Sequence, residues 1–349
     1  YATGFGAVLK ALGNNNLTWE KTDKFNVGIE MQFLNRRLTV DADYYHDKTI
    51  DLVNDVSLSQ TSGFSSYKDN MGEVLNQGFE LQVRGEVFRN RDWLVALWGN
   101  MAHNKNKILK ISDSQRAYNQ RVKEFYENIV NEEYGRYNSK YGVPISQYEE
   151  GQSLTSIWAV KSLGIDPTTG KEIFLNRGGS VSDTWNATQE VAVGNTEPKF
   201  NGSIGFNAAY KQWSLFAAFQ YEWGGQEYNQ TLVDRVENAR IQYQNVDLRV
   251  LTDRWKQPGD IAQFKDIKNA DSAPMPTSRF VQDKAYLRLS ALTLSYDFNR
   301  EWIKKYLGMN MLRLEASTRD FINWNSIRQE RGLSYPKSWT VDFSIKAQF

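Results

Sequence analysis

The feature that most constrains this chain is a two-residue hydropathic period, renewed in hairpin after hairpin. Successive strand residues point to opposite faces. Phe25, Val27, Ile29, Met31 and Phe33 therefore share one face, with Lys24, Asn26, Gly28, Glu30 and Gln32 on the other. A turn at Asn35-Arg36 leads to Leu38, Val40, Ala42 and Tyr44, opposed by Thr39, Asp41, Asp43 and Tyr45. Phe79, Leu81, Val83 and Val87 alternate with Glu80, Gln82, Arg84 and Glu86, then a turn at 89–92 leads to Trp93, Val95, Leu97 and Met101. Phe200, Ile204, Phe206 and Tyr210 pass through Lys211-Gln212 into Trp213, Leu215, Ala217, Phe219, Tyr221 and Trp223. Residues 284–298 form a further strand whose apolar phase shifts near Ser290-Ala291, which predicts a bulge. Leu312, Leu314 and Ala316 mark the next, and Trp339, Val341, Phe343, Ile345, Ala347 and Phe349 the last. The total is about nine strands, several longer than the ~9–11 residues that cross a bilayer obliquely.

The connections alternate in length. Links near 35, 90 and 211 are tight, and 299–308 (with REWIKKY) has room for about one helical turn. Links 54–69, 112–196, 224–280 and 320–336 are long. Short turns at one end and long loops at the other are the habit of outer-membrane barrels, and a periplasmic C-terminus would put every long loop outside the cell. Within the loops, 114–140 reads as a charged helix, and 156–176 as a small hairpin about the turn from Ile165 to Gly170.

Composition narrows the function. The 42 Lys+Arg against 41 Asp+Glu leave no basic surplus for nucleic acid. Absence of cysteine fits several compartments. Aromatics at 13% suit membrane-interface girdles or sugar-stacking surfaces. Tyr44, Tyr45, Trp93, Trp213, Tyr221 and Trp223 lie near strand ends, as interfacial belts require. No run of about 18 apolar residues is present for a transmembrane helix, but alternating strands need none. Residues 1–10 lack a signal-peptide pattern, so a membrane reading expects the chain to begin inside a longer precursor.

Catalytic chemistry finds little support. Asp41 and Asp43 are close enough for a carboxylate pair, but a strand with a polar face produces such pairs by default. His46 and His103 are the only histidines and have no metal-ligand spacing. Nucleophile-elbow and nucleotide-binding motifs are missing. The expectation is no enzyme, no cofactor and no metal. Recognition is expected in the long loops, where Trp158, Trp185, Tyr228 and Trp255 offer stacking faces and Arg254 a carboxylate partner; these five are the candidate substrate-binding residues. The terminal strand, with Phe343, Ile345 and Phe349, reads as a barrel-assembly signal.

Several segments, in order and over most of the chain, resemble the C-terminal half of SusC/RagA-type TonB-dependent transporters. They are NNNLTWEKTDKFNVGIEMQFLNRRLTVDADYYHDKTIDLV (14–53), NMGEVLNQGFELQVRGEVF (70–88), LGIDPTTGKEIF (163–174), VGNTEPKFNGSIGFNAAYKQWSL (193–215), RWKQPGD (254–260), AYLRLSALTLSYDF (285–298) and YPKSWTVDFSIKAQF (335–349). The resemblance implies an all-β antiparallel transmembrane barrel of 22 strands, of which residues 1–349 would be the C-terminal part. The plug domain and N-terminal strands would lie outside this chain. It further implies TonB-dependent import of oligosaccharides or peptides across a Gram-negative outer membrane. The implied partners are the remaining barrel and plug, a SusD-like surface lipoprotein, TonB through the plug, outer-membrane lipid and the substrate. The segment Leu175-Asn176-Arg177-Gly178-Gly179-Ser180 departs from the acidic, glycine-containing turn common in the family, so a calcium site is not expected. Two rival readings are a soluble all-β glycan-binding or hydrolytic protein, and a passive porin or adhesin.

Overall fold

A computed structural model describes residues 12–57, 66–131, 142–238, 241, 245–269, 275–298, 300–328 and 339–349. Nine long strands form one antiparallel sheet in chain order. They are β1 (Lys21–Phe33), β2 (Leu38–Ile50), β3 (Gly72–Arg89), β4 (Trp93–Ile111), β5 (Phe200–Tyr210), β6 (Trp213–Tyr228), β7 (Val281–Asp297), β8 (Met311–Thr318) and β9 (Val341–Gln348). Among the described residues, β1 and β9 do not pair with each other.

Register keeps the two faces in phase across the sheet. One row of direct partners runs Phe33, Leu38, Gly85, Leu97, Phe206, Ala217, Leu292, Thr318, Val341. On the opposite face, a row runs Glu30, Asp41, Gln82, Asn100, Ser203, Gln220, Arg288, Asn323. The expected bulge falls at Ser290, between the pairs Ala218–Ala291 and Phe219–Leu289. The Ser290 hydroxyl donates to the Ala218 carbonyl at 3.0 Å. Without the extra residue, Leu287 and Leu289 would turn to the polar face while Leu292 and Leu294 stayed on the apolar one. A second bulge, at Val87, lies between Glu86–Ala96 and Phe88–Val95. The apolar position assigned to Val87 by alternation therefore belongs to Phe88.

Links between strands fall into the expected two classes. On one side, β1–β2, β3–β4 and β5–β6 are joined by turns, in which Leu34, Asn35, Arg36 and Lys211 have positive φ. The fourth link on that side holds helix α2 (Arg300–Leu307), longer than the single turn expected. On the other side, the link after β2 extends as a small hairpin, Val53–Ser57 against Ser66–Asn70. The link after β8 includes Asn323–Asn325, which pairs with β7. The link after β4 begins with helix α1 (Asp113–Asn131). The helix expected over 114–140 is thus present to Asn131, and 132–141 lie outside the described residues. The same link then forms a four-stranded sheet in the order Glu190–Asn195, Ser156–Ile165, Glu172–Leu175, Val181–Ser182.

Candidate functional site

The apolar face carries large side chains with no protein cover: Phe25, Val27, Ile29, Ile204, Leu294, Phe343 and Ile345 are all exposed, Phe343 by 82%. An ordinary soluble sheet buries such a face. Aromatic rings close this face at both ends. At the short-turn end, Trp93 packs on Tyr210 at 4.4 Å between centroids and Trp213 on Tyr296 at 4.7 Å. At the long-loop end, Phe79, His103, Phe200 and Trp223 form a second chain, with centroid spacings of 5.4, 5.5 and 6.3 Å. On three adjacent strands the belts are ten positions apart: Trp93 to His103, Tyr210 back to Phe200, Trp213 to Trp223. Ten residues rising ~3.3 Å each at about 40° of tilt span ~25 Å, the height of a barrel's apolar band. Tyr45 does not belong to a belt; it faces the polar side, where its hydroxyl donates to Asn104 Oδ1 at 2.9 Å.

The polar face carries carboxylates and amides. Asp41 and Asp43 line a recess of about 300 Å³ with Glu80, Gln82, Asn100 and Asn201. A second recess of about 300 Å³ adjoins it through Gln82 and Asn100 and includes Arg84, Trp98 and Asn207. Trp98 stacks on Phe216 with centroids 6.2 Å apart. Its indole crosses Gly205, where a Cβ would meet the ring at 2.5 Å. Sequence reasoning missed this inward aromatic pair. The signal was its parity: Trp98 is out of phase with Leu97, and Phe216 with Leu215. No group of three or more His, Asp or Glu side chains able to hold a metal is found among the described residues.

At the long-loop end, the links after β4 and β6 pack into one body. Arg279, just before β7, joins them. Its guanidinium donates to both oxygens of Glu172 at 3.1 and 2.9 Å, to both oxygens of Glu237 at 3.2 and 2.7 Å, and to the Gln263 carbonyl at 2.7 Å. Burial disfavours the Arg279 charge, but the two carboxylates outweigh that and raise its pKa. Backbone links add to the join: Val160 N–H donates to Pro276 O at 3.1 Å and Ser162 N–H to Ser278 Oγ at 2.9 Å. Glu190 is buried, with no ion pair among the described residues. Its carboxylate accepts from Gln147, and burial pushes its pKa up to about 8, while Gln147, Lys123 and Arg177 pull the other way.

The five residues expected to touch substrate are placed in this body, and they stabilise it. Trp158 is 1% exposed, in its core. Arg254 is buried, and its guanidinium donates to the carbonyls of Val250, Lys265, Val236 and Glu237. Burial leaves neither of these two side chains an open recognition surface. The others also have internal partners. Trp185 packs edge-on to Tyr126 and donates to Pro276 O at 3.0 Å. Trp255 donates to Pro167 O at 2.8 Å and covers Gly170, in the turn of the loop hairpin. Tyr228 packs edge-on to Phe280. In the terminal strand, Ile345 pairs with Leu314 and Phe343 with Ala316, and both side chains and Phe349 are exposed on or beside the apolar face.

Residues 1–317 match the family model described as TonB dependent receptor-like, beta-barrel. The TonB-dependent receptor P3 of Formosa agariphila is 26% identical over 322 residues, covering 91% of this chain and 31% of that protein. The TonB-dependent receptor SusC of Bacteroides thetaiotaomicron is 35% identical over 100 residues, covering 28% of this chain and 10% of that one. Among solved structures, the RagAB peptide importer in its closed-closed state overlays with a TM-score of 0.75 at 23% identity, covering 98% of this chain and 37% of that chain. The chain thus spans about a third of the length of the P3 receptor and of this solved relative.

Proposed function

The chain belongs to the TonB-dependent receptor β-barrel family, and from that premise we propose that it forms the C-terminal wall of an outer-membrane nutrient importer in a Gram-negative bacterium. The observation that carries the proposal is the uncovered apolar face between two aromatic belts ten residues apart. It matches a hydrocarbon slab, while the polar face lines a hydrated path. The plug and the remaining strands belong to the rest of the importer. The imported nutrient is an oligosaccharide or a peptide, drawn in with TonB-coupled energy beneath a SusD-like lipoprotein. Asp41, Asp43, Gln82 and Asn100 hydrate the path without chemical work. Solvent-facing parts of Trp185, Tyr228 and Trp255 remain the loop residues proposed to meet substrate, each held by the packing described above.

The test is uptake of labelled oligosaccharides and peptides by cells that make the full-length protein. Uptake should stop when the proton gradient is collapsed and when TonB is deleted. Uptake that continues would establish a passive pore instead. Protease added to intact cells should cut within 112–196 or 224–280; cutting at 35 or 211 would invert the orientation.

A further inference from the structure

Three links at the short-turn end need only 34–37, 90–92 and 211–212 to reverse the chain. The fourth, 298–310, includes helix α2 between β7 and β8. Gly308, at φ +66°, ends it in the left-handed conformation that suits a helix C-terminus. One side of α2 is fixed to the protein, with Ile303 fully buried. Trp302, Tyr306 and Leu307 are exposed large side chains, an arrangement that a helix hanging in water would not favour.

The exposed rings continue an interface. From the lower belt, contacts pass from Trp213 to Tyr296 at 4.7 Å, to Phe298 at 5.0 Å, to Trp302 at 6.1 Å and to Tyr306 at 5.8 Å. Trp302 and Tyr306 are one turn apart, so they share a side of the helix. The cations lie beside them. Lys305 Nζ is 5.3 Å from the Tyr306 ring centroid, and Lys304 and Lys305 are both exposed. Rings at headgroup depth with flanking lysines are the chemistry of a helix lying in a membrane surface.

We propose that α2 is an interfacial anchor that seats Trp302 and Tyr306 in the headgroup layer and uses Lys304 and Lys305 to gather anionic phospholipid around the short-turn end of the barrel. This rests on the barrel reading, which places Tyr296 and Trp213 at the bilayer boundary. The occupant is lipid rather than a protein segment because the ring chain is continuous with the lipid-facing belt, and the lysine charge complements phosphate.

The experiment uses the full-length protein in phospholipid nanodiscs, with single nitroxide labels at Tyr306→Cys, Phe206→Cys and Arg91→Cys. This chain contributes no cysteine of its own to interfere. Collision with oxygen against a water-soluble nickel chelate should place Phe206 in hydrocarbon, Arg91 in water and Tyr306 between them. The Tyr306 label should contact phosphatidylglycerol several-fold more often than phosphatidylcholine. The K304Q/K305Q variant should lose that preference with Phe206 unchanged. The proposal is overturned if the Tyr306 label is as water-accessible as Arg91, if it is shielded from both collision agents as under a protein partner, or if the lysine substitutions leave the lipid preference intact. A water-accessible Phe206 would instead overturn the barrel reading itself.

Discussion

Arg279→Met should release the two long links from one another. The guanidinium makes four hydrogen bonds to two carboxylates, and the three side chains are only 10, 12 and 0% exposed (Arg279, Glu172, Glu237). At an effective dielectric near 20, each ion pair contributes about 4 kcal/mol of attraction. Desolvation of three charges offsets much of that sum, so the intact triad is worth little against an apolar substitute of equal volume. Removing the cation alone is different, because it strips Glu172 and Glu237 of their bidentate partner, at a cost of up to about 3–5 kcal/mol, which the nearby charges of Lys265 and Arg254 reduce. Hydrogen exchange on the full-length protein measures the opening free energy locally. Protection should fall together in the strand Glu172–Leu175 and in the segment 230–237, while β5 and β6 amides between the belts hold theirs. The triple variant R279M/E172L/E237L should recover most of the loss. A fall in only one of the two segments, or a cost below about 1 kcal/mol, would refute the assignment of Arg279 as the joint.

The remaining predictions concern the membrane face, the terminus and pH. Val83→Lys, on the apolar face opposite Val40 and Gly99, should destabilise the barrel by about 2–4 kcal/mol in denaturant titration from bilayers, and a near-neutral result would put Val83 away from lipid. Removal of Phe349, exposed beyond β9, should lower the fraction of protein that becomes heat-modifiable in the outer membrane; an unchanged fraction would remove the terminus as an assembly signal. Glu190 should make the loop body pH-sensitive. Its folded pKa of about 8 lies above the ordinary 4.5, so the folded body holds a proton the open one releases. That stability is fully present below about pH 4.5 and declines as pH rises through 8. Proteolysis within 142–196 should therefore be faster at pH 8.5 than at pH 5.5, and Glu190→Gln should abolish the difference.

What the sequence disclosed and what it hid follow from one distinction. A strand with one face in lipid has its parity imposed by solvent on both sides, so alternation is legible. Even the bulge at Ser290 showed itself, because Leu287 and Leu289 are odd-numbered while Leu292 and Leu294 are even. The bulge at Val87 did not, because Val87 and Phe88 are both apolar and parity cannot choose between them. In the loops no such rule applies. Trp158, Trp185 and Trp255 had equal sequence claims to a buried core and to a ligand surface, and only three-dimensional packing decides. The packing of Arg254 was hidden for the same reason: its partners are four carbonyls, which any sequence supplies. The inward pair Trp98 and Phe216 was discoverable from parity but lay within strands whose other aromatics point outward.

Among the described residues the outer edges of β1 and β9 have no strand partner, which explains why this sheet needs neighbours. Between the belts there is no water to satisfy the backbone N–H and C=O groups on the outer sides of β1 and β9, and each unmet group in hydrocarbon costs several kcal/mol. Over a 13-residue strand such as β1 that penalty exceeds the whole stability of an ordinary domain. Pairing with further strands removes it. In water the penalty vanishes, but exposed side chains of the apolar face such as Phe25, Ile29, Ile204 and Phe343 would then drive association. Neither solvent alone suits the nine strands. The arrangement that suits them is a closed ring with lipid on one face and water on the other, which is why the same alternation fixes both the fold and the location.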